Sequence, residues 1–403
     1  MTAWEGVTFG QAGGADAGRV VRIKLLAKRL TGEVPAALGA LTVGPAPACP
    51  RHLRACLTRH RVSSSINSRD EGSKCGYLRG ERDLPWPDPS ALNNLDLNGN
   101  QLTSVSAGLA GLTALKRLEL GENLLTSVPA ELGGLTALKS LSLSRNQLTS
   151  VPAALGTLTA LTRLFLSGNQ LTSVPAELGA LTALKRLYLS SNQLTSVPTE
   201  LGALSVGPAP ACPRPLACAC LTRHRVSLSI NSGDEGSKCG YSRGERDLPW
   251  PDPSELTHLY LNGNQLTSVP AELGLATSLT ETNLGYNQLT SVPAELGKLT
   301  ALRRLILGNN QLTSVPAELG ALTAMTTFIL RANQLTSVPA EFGTLTALKR
   351  LYLSENQLTS VPAELSGLTA LTRLDLEGNP LTSVPAEWEE GGAMQKSGCV
   401  ILR

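Results

Sequence analysis

The sequence predicts an α/β repeat protein: a curved solenoid with parallel strands on the concave face and short helical or 3-10 turns on the convex side. Three observations carry that expectation. A pattern recurs every 23 residues, so that Leu161 begins the string LTRLFLSGNQLTSVPAELGALTA and Leu184 begins the next. Its first six positions alternate apolar and polar residues, as in Leu184, Leu187 and Leu189, which is the signature of one short strand with a buried face. Aromatic residues make up only 3% of the 403, so the core is narrow, aliphatic and repeated, not the two or three globular cores that the length alone would suggest.

The pattern starts at Val20, Leu92, Leu115, Leu138, Leu161, Leu184, Leu256, Leu279, Leu302, Met325, Leu348 and Leu371, which makes twelve units. In each unit the strand comes first. An Asn follows three positions after its last Leu, in the series from Asn100 through Asn192 to Asn379. An amide at a bend can donate and accept towards neighbouring turns, so stacked units form a continuous Asn ladder. Then comes Leu-Thr-Ser-Val-Pro-Ala-Glu-Leu-Gly, in which Ser is expected to cap a helical turn, Pro to open it and Gly to end it. One unit cannot bury its leucines alone; stacking buries them against the units above and below.

These residues resemble the leucine-rich repeat family, whose pattern L-x-x-L-x-L-x-x-N-x-L is met over roughly three-quarters of the chain. The 23-residue form with Leu-x-x-Val-Pro is similar to the intracellular, Ras-suppressor-type scaffolds of that family. Two units depart from it: Lys28 replaces the first Asn, and Thr282 replaces a core Leu and is expected to be a weak point. The N-terminus, with Trp4-Glu5-Gly6-Val7-Thr8 and Leu30-Thr31-Gly32-Glu33-Val34-Pro35, resembles the cap of plant-type receptors, with Phe9 where a cap cysteine would stand. At the other end Trp388 takes a core-Leu position and Glu389-Glu390-Gly391-Gly392 reads as a fraying cap. Cys399-Val400-Ile401-Leu402-Arg403 reads as a disordered tail, a prenylation box being spoiled by Arg403.

The expected organisation is a cap remnant over 1–19, a first repeat over 20–42, an insert over 43–90, repeats over 91–205, a second insert over 206–254, repeats over 255–387, and a C-terminal cap and tail over 388–403. The inserts, 48 and 49 residues long and identical at 43 positions, interrupt a unit at the same phase and read as a duplicated, disordered element. Aligned Cys49, Cys56, His60 and Cys75, matched by Cys212, Cys220, His224 and Cys239, are a legitimate zinc set with poor spacing, so no metal or other cofactor is expected.

A formal charge of +3 without a basic run gives no case for nucleic acid, and no stretch of about 18 apolar residues exists for a membrane span. No secretory signal is visible in Met1 to Gly14, so a cytoplasmic location is expected. Phosphate-loop, nucleophile-elbow and zinc-protease motifs are absent, and His258 is the only histidine outside the inserts, so no catalytic residue is expected. What remains is the concave face. Its outward column runs Asp96, Glu119, Ser142, Phe165, Tyr188, Tyr260, Asn283, Ile306, Ile329, Tyr352 and Asp375, beside Arg117, Arg163, Arg186, Arg304, Arg350 and Arg373. Phe165, Tyr188, Tyr260, Ile306, Ile329 and Tyr352 are the expected anchors for a protein partner, with Arg163, Arg186, Arg304, Arg350 and Arg373 steering its acidic rim. The expected protein is a monomeric, non-catalytic scaffold in intracellular signalling. The alternative is a receptor ectodomain with a truncated N-terminus.

Overall fold

The computed structural model describes residues 7–9, 20–24, 31–34, 92–205, 256–385 and 399–402. Both inserts, Lys28, Trp388 and the four residues after it lie outside them. The described strands at the N-terminal end are β1 (Val7–Phe9), β2 (Val20–Lys24), β3 (Thr31–Val34), β4 (Asn94–Asp96) and β5 (Gln101–Val105). One three-residue strand per unit follows: β6 (Arg117–Glu119), β7 (Ser140–Ser142), β8 (Arg163–Phe165), β9 (Arg186–Tyr188), β10 (His258–Tyr260) and β11 (Glu281–Asn283). The stack ends with β12 (Arg304–Ile306), β13 (Thr327–Ile329), β14 (Arg350–Tyr352), β15 (Arg373–Asp375) and β16 (Val400–Leu402).

Fourteen of these strands form one sheet in chain order, leaving out only β3 and β5, which pair with each other in parallel as a second, two-stranded sheet. The large sheet is parallel throughout except at its first strand, where β1 runs antiparallel to β2 with Val7 opposite Ile23. Register is the same at every step, and Leu118, Leu141, Leu164 and Leu187 face one another along the stack. It holds across both inserts as well: Ile23 pairs with Leu95, and Leu187 with Leu259. The fold is a leucine-rich solenoid whose strands line one side and whose one-turn 3-10 helices line the other.

Each unit sends the same apolar positions inward. In the unit from Leu184 these are Leu184, Leu187, Leu189, Leu194, Val197, Leu201 and Leu204, all buried. Burying one such side chain is worth about 1.5–3 kcal/mol, a gain realised only when the next unit covers it. Strand geometry fixes which residues stay outside, because the neighbours of each core Leu along the strand point to the opposite face.

The Asn ladder is present in full geometric detail. The Asn146 amide donates to the Leu143 carbonyl of its own unit and the Leu120 carbonyl of the unit before, both at 3.0 Å. Its Oδ1 accepts the backbone N–H of Leu125 at 3.1 Å. One buried side chain thus satisfies three backbone groups that the turn removes from the strand ladder. The residue just before each Asn is left-handed in all eleven units described from Gly99 to Gly378, and seven of the eleven are not glycine. Tyr286 holds φ 54° with a side chain 66% exposed, a conformation that costs an L-residue about 1–2 kcal/mol.

Two local expectations are corrected. The repeated Ser does not cap: Pro129, Pro152 and their equivalents occupy the N-cap and provide no side-chain hydrogen bond. The side-chain cap is made where Ser106 replaces that Pro and accepts the Gly108 N–H at 3.2 Å. Nor does the Gly end the turn. Gly320 lies inside the helix Ala317–Ala321, and a Cβ there would come within 2.5 Å of the Glu341 carbonyl oxygen of the next helix. The glycine is kept for close approach between stacked helices. A third correction concerns the C-terminus. Val400–Leu402 is no disordered tail but the last strand of the sheet, with Ile401 opposite Leu374 and Cys399 buried beside it.

Candidate interaction face

The outward column lies where strand alternation puts it, on the solvent side of β4 to β15. Phe165 and Tyr188 stack with centroids 4.7 Å apart and planes 13° off parallel, and Tyr188 and Tyr260 stack at 4.9 Å and 9°. These separations match the strand spacing, so the parallel register itself sets the stacking. Tyr260 stacks on Tyr188 because β10 continues the register of β9 across the second insert.

All six expected anchors are half-buried. Phe165, Tyr188 and Tyr260 form one apolar patch, and Ile306, Ile329 and Tyr352 form another through β12, β13 and β14. Between the two stands Asn283, whose Oδ1 accepts the Gly285 N–H at 3.0 Å. The single apolar stripe expected from the sequence is therefore two patches with a polar strand between them.

The arginine column is also divided. Glu281 occupies the arginine position in β11, opposite His258 on one side and Arg304 on the other. Its carboxylate lies 3.6 Å from Arg304. Burial and then the Glu281 carboxylate push the Tyr260 phenol up to about 12, so its hydroxyl stays protonated. Arg117 is held by Glu119 at 2.6 Å. Among the described residues Arg163, Arg186 and Arg350 meet no carboxylate at ion-pair distance, and Arg373 lies over the Tyr352 ring at 5.7 Å from its centroid. Five of the expected arginines thus share one face, but Arg304 is paired with Glu281 there. Glu281 was overlooked in the sequence because the arginine column was read only where arginine occurs; Leu279-Thr280-Glu281 shows the break directly.

His258 sits in the same row, its Nδ1 2.8 Å from the Thr257 hydroxyl and its ring 6.3 Å from Tyr260. Its ring therefore adds a polar contact at the edge of the aromatic stack. Among the described residues no cluster of three or more His, Cys, Asp or Glu could hold a metal ion, and the zinc candidates lie outside them. No described helix is long and apolar enough to cross a membrane.

Comparison with known proteins agrees with this geometry. The family described as leucine rich repeat matches residues 90–148, 138–194, 254–312 and 323–381. No curated protein matches the chain. Among solved structures, the ectodomain of the Arabidopsis receptor kinase HAESA, in complex with an extended IDA peptide hormone, is 26% identical with a TM-score of 0.60 over 95% of this chain and 49% of that one. A TDR receptor is 26% identical with a TM-score of 0.57, over 72% of this chain and 44% of its own. A leucine-rich repeat protein of Leptospira interrogans is 28% identical with a TM-score of 0.48, over 77% of this chain and 78% of that one. The chain spans about half, or less, of the two receptor structures.

Proposed function

The chain belongs to the leucine-rich repeat family, and from that premise we propose that it is a non-catalytic scaffold that binds a protein partner on its strand face. The observation that carries this reading is the stack Phe165–Tyr188–Tyr260 with Arg163 and Arg186 unpaired beside it. Stacked rings with a cationic border combine large contact area with directional charge, the composition of interaction hot spots. The scaffold acts as a monomer in the cytoplasm, in signalling, and its partner presents an acidic rim to the arginines.

The test is capture of partner by the full chain and by the Tyr188→Ala/Tyr260→Ala variant. The variant is expected to lose capture while its thermal unfolding stays nearly unchanged, because both side chains lie on the solvent side of the sheet. Undiminished capture removes this face as the site.

A second reading is favoured by one comparison: the HAESA ectodomain, bound to a peptide hormone, resembles almost the whole chain. In that reading this chain is a ligand-sensing ectodomain. Protease treatment of intact native cells separates the two: digestion of the protein supports the ectodomain, and protection supports the cytoplasmic scaffold.

A further inference from the structure

We propose that the strand face is a bipartite site for an extended acidic peptide segment, with two anionic side chains about seven residues apart. The inference rests on the binding face proposed above and adds the chemistry and spacing of its ligand. It follows from which arginines have a carboxylate within ion-pair distance among the described residues and which do not.

The first apolar patch, Phe165, Tyr188 and Tyr260, carries Arg163 and Arg186 on the same strands, neither in an ion pair among the described residues. The second, Ile306, Ile329 and Tyr352, carries Arg350, also unpaired, and Arg373 against the Tyr352 ring. Asp375, beside Arg373 on β15, accepts the Ser354 hydroxyl at 3.2 Å and marks the outer limit of that patch. The strands between hold no net positive charge beyond His258: Glu281 and Arg304 pair with each other, and Thr327 fills the row at β13. In the row of strand residues the face therefore presents cation and apolar surface, then a bridge whose one arginine is paired, then cation and apolar surface again, with exposed Arg303 at the edge of the bridge just before β12.

The separation follows from the register. Arg186 and Arg350 are five strand steps apart, through His258, Glu281, Arg304 and Thr327. At about 4.8 Å per step this is about 24 Å, the span of about seven residues of extended chain at about 3.4 Å each. A segment crossing the strands can place one carboxylate on Arg186 and a second on Arg350. Its intervening side chains would then pass over the Glu281–Arg304 pair. A third acidic residue in the middle would meet Glu281, so the bridge also selects against uniformly acidic chains.

The experiment uses the full chain and three fluorescein-labelled peptides of equal length and net charge, each otherwise Ala, Ser and Leu. Two glutamates are placed seven residues apart, three residues apart or adjacent, and binding is read by fluorescence anisotropy. Seven-residue spacing is expected to bind about tenfold tighter than either other spacing. Arg186→Gln and Arg350→Gln should each erase that preference, with circular dichroism melts unchanged. Equal binding by all three peptides, or a preference that survives both substitutions, overturns the bipartite site. If that happens while Tyr188→Ala/Tyr260→Ala still loses its partner, the spacing is wrong and the binding face stands; if capture also persists, both fall.

Discussion

The side-chain oxygen of Asn264 accepts the backbone N–H of Leu194 at 3.0 Å, although 70 residues separate them in sequence. In ordinary units the same bond joins residues 21 apart, as between Leu171 and Asn192. The neighbouring contacts close equally well across the gap: Thr257 N–H donates to the Lys185 carbonyl at 2.9 Å, and a Cβ on Gly202 would collide with the Glu272 carbonyl as its equivalents do elsewhere. The solenoid therefore needs nothing from residues 206–254 to keep its register. Excising them, so that Ser205 joins Glu255, should leave one cooperative unfolding transition at an equal or higher urea midpoint, since loop closure costs only about 0.6 kcal/mol per doubling of length. A lower midpoint or a split transition would show that the segment supports the stack.

Thr282 is fully buried between Leu259 and Leu305 in the strand register, and its hydroxyl has no hydrogen-bond partner among the described residues. The orphaned hydroxyl gives the weak point expected at this position a physical cause that can be tested. Thr282→Val keeps the shape and removes the orphaned group, and should raise stability by about 1–3 kcal/mol in urea unfolding. A Val variant that unfolds earlier would mean the hydroxyl is satisfied in solution.

The period of 23 and the alternation of leucines made the fold legible, because a strand of three residues is read from the pattern Leu187-Tyr188-Leu189 and needs no long-range information. The Asn ladder was legible for the same reason: the amide recurs at every bend, and its three bonds are all to groups set by the repeat. Less legible were features that depend on what the next unit brings. The glycine of Ala-Glu-Leu-Gly looks like a helix exit in isolation; only stacking shows the carbonyl that excludes a Cβ. The C-terminal strand was missed because its pairing step is longer than 23 residues, Arg373 lying opposite Val400. On the candidate face the side chains fell where alternation put them; the glutamate that divides the arginine row is visible in Leu279-Thr280-Glu281, but that it pairs with Arg304 is seen only once the strands are in register.

Glycines at adjacent positions of the repeated turn, the fourth at Gly320 and the fifth at Gly134, differ in what surrounds them, which gives a paired test. Gly320→Ala places a methyl 2.5 Å from the Glu341 carbonyl oxygen, backbone that cannot swing aside, and should cost about 1–3 kcal/mol. Gly134→Ala meets nothing closer than Ala110 at 3.8 Å and should be neutral or gain about 0.4–1 kcal/mol from the unfolded chain. Urea midpoints of the two variants decide it. Equal losses would put the cause in helix propensity and not in the approach of neighbouring helices.

The Tyr260 phenol titrates at about 12 instead of 10.0, raised first by burial and then by Glu281. The neutral form is the one the fold favours, so the folded state holds its proton more tightly than the unfolded chain does. The stability this contributes is complete below pH 10 and is lost as pH rises towards 12. Ultraviolet titration of tyrosinate should therefore show a late-ionising step that is absent in Tyr260→Phe. Glu281→Gln should move that late step to lower pH without abolishing it, because desolvation, the larger cause, remains. A late step unmoved by Glu281→Gln would mean that the carboxylate does not act on the phenol, and that Glu281 serves Arg304 alone.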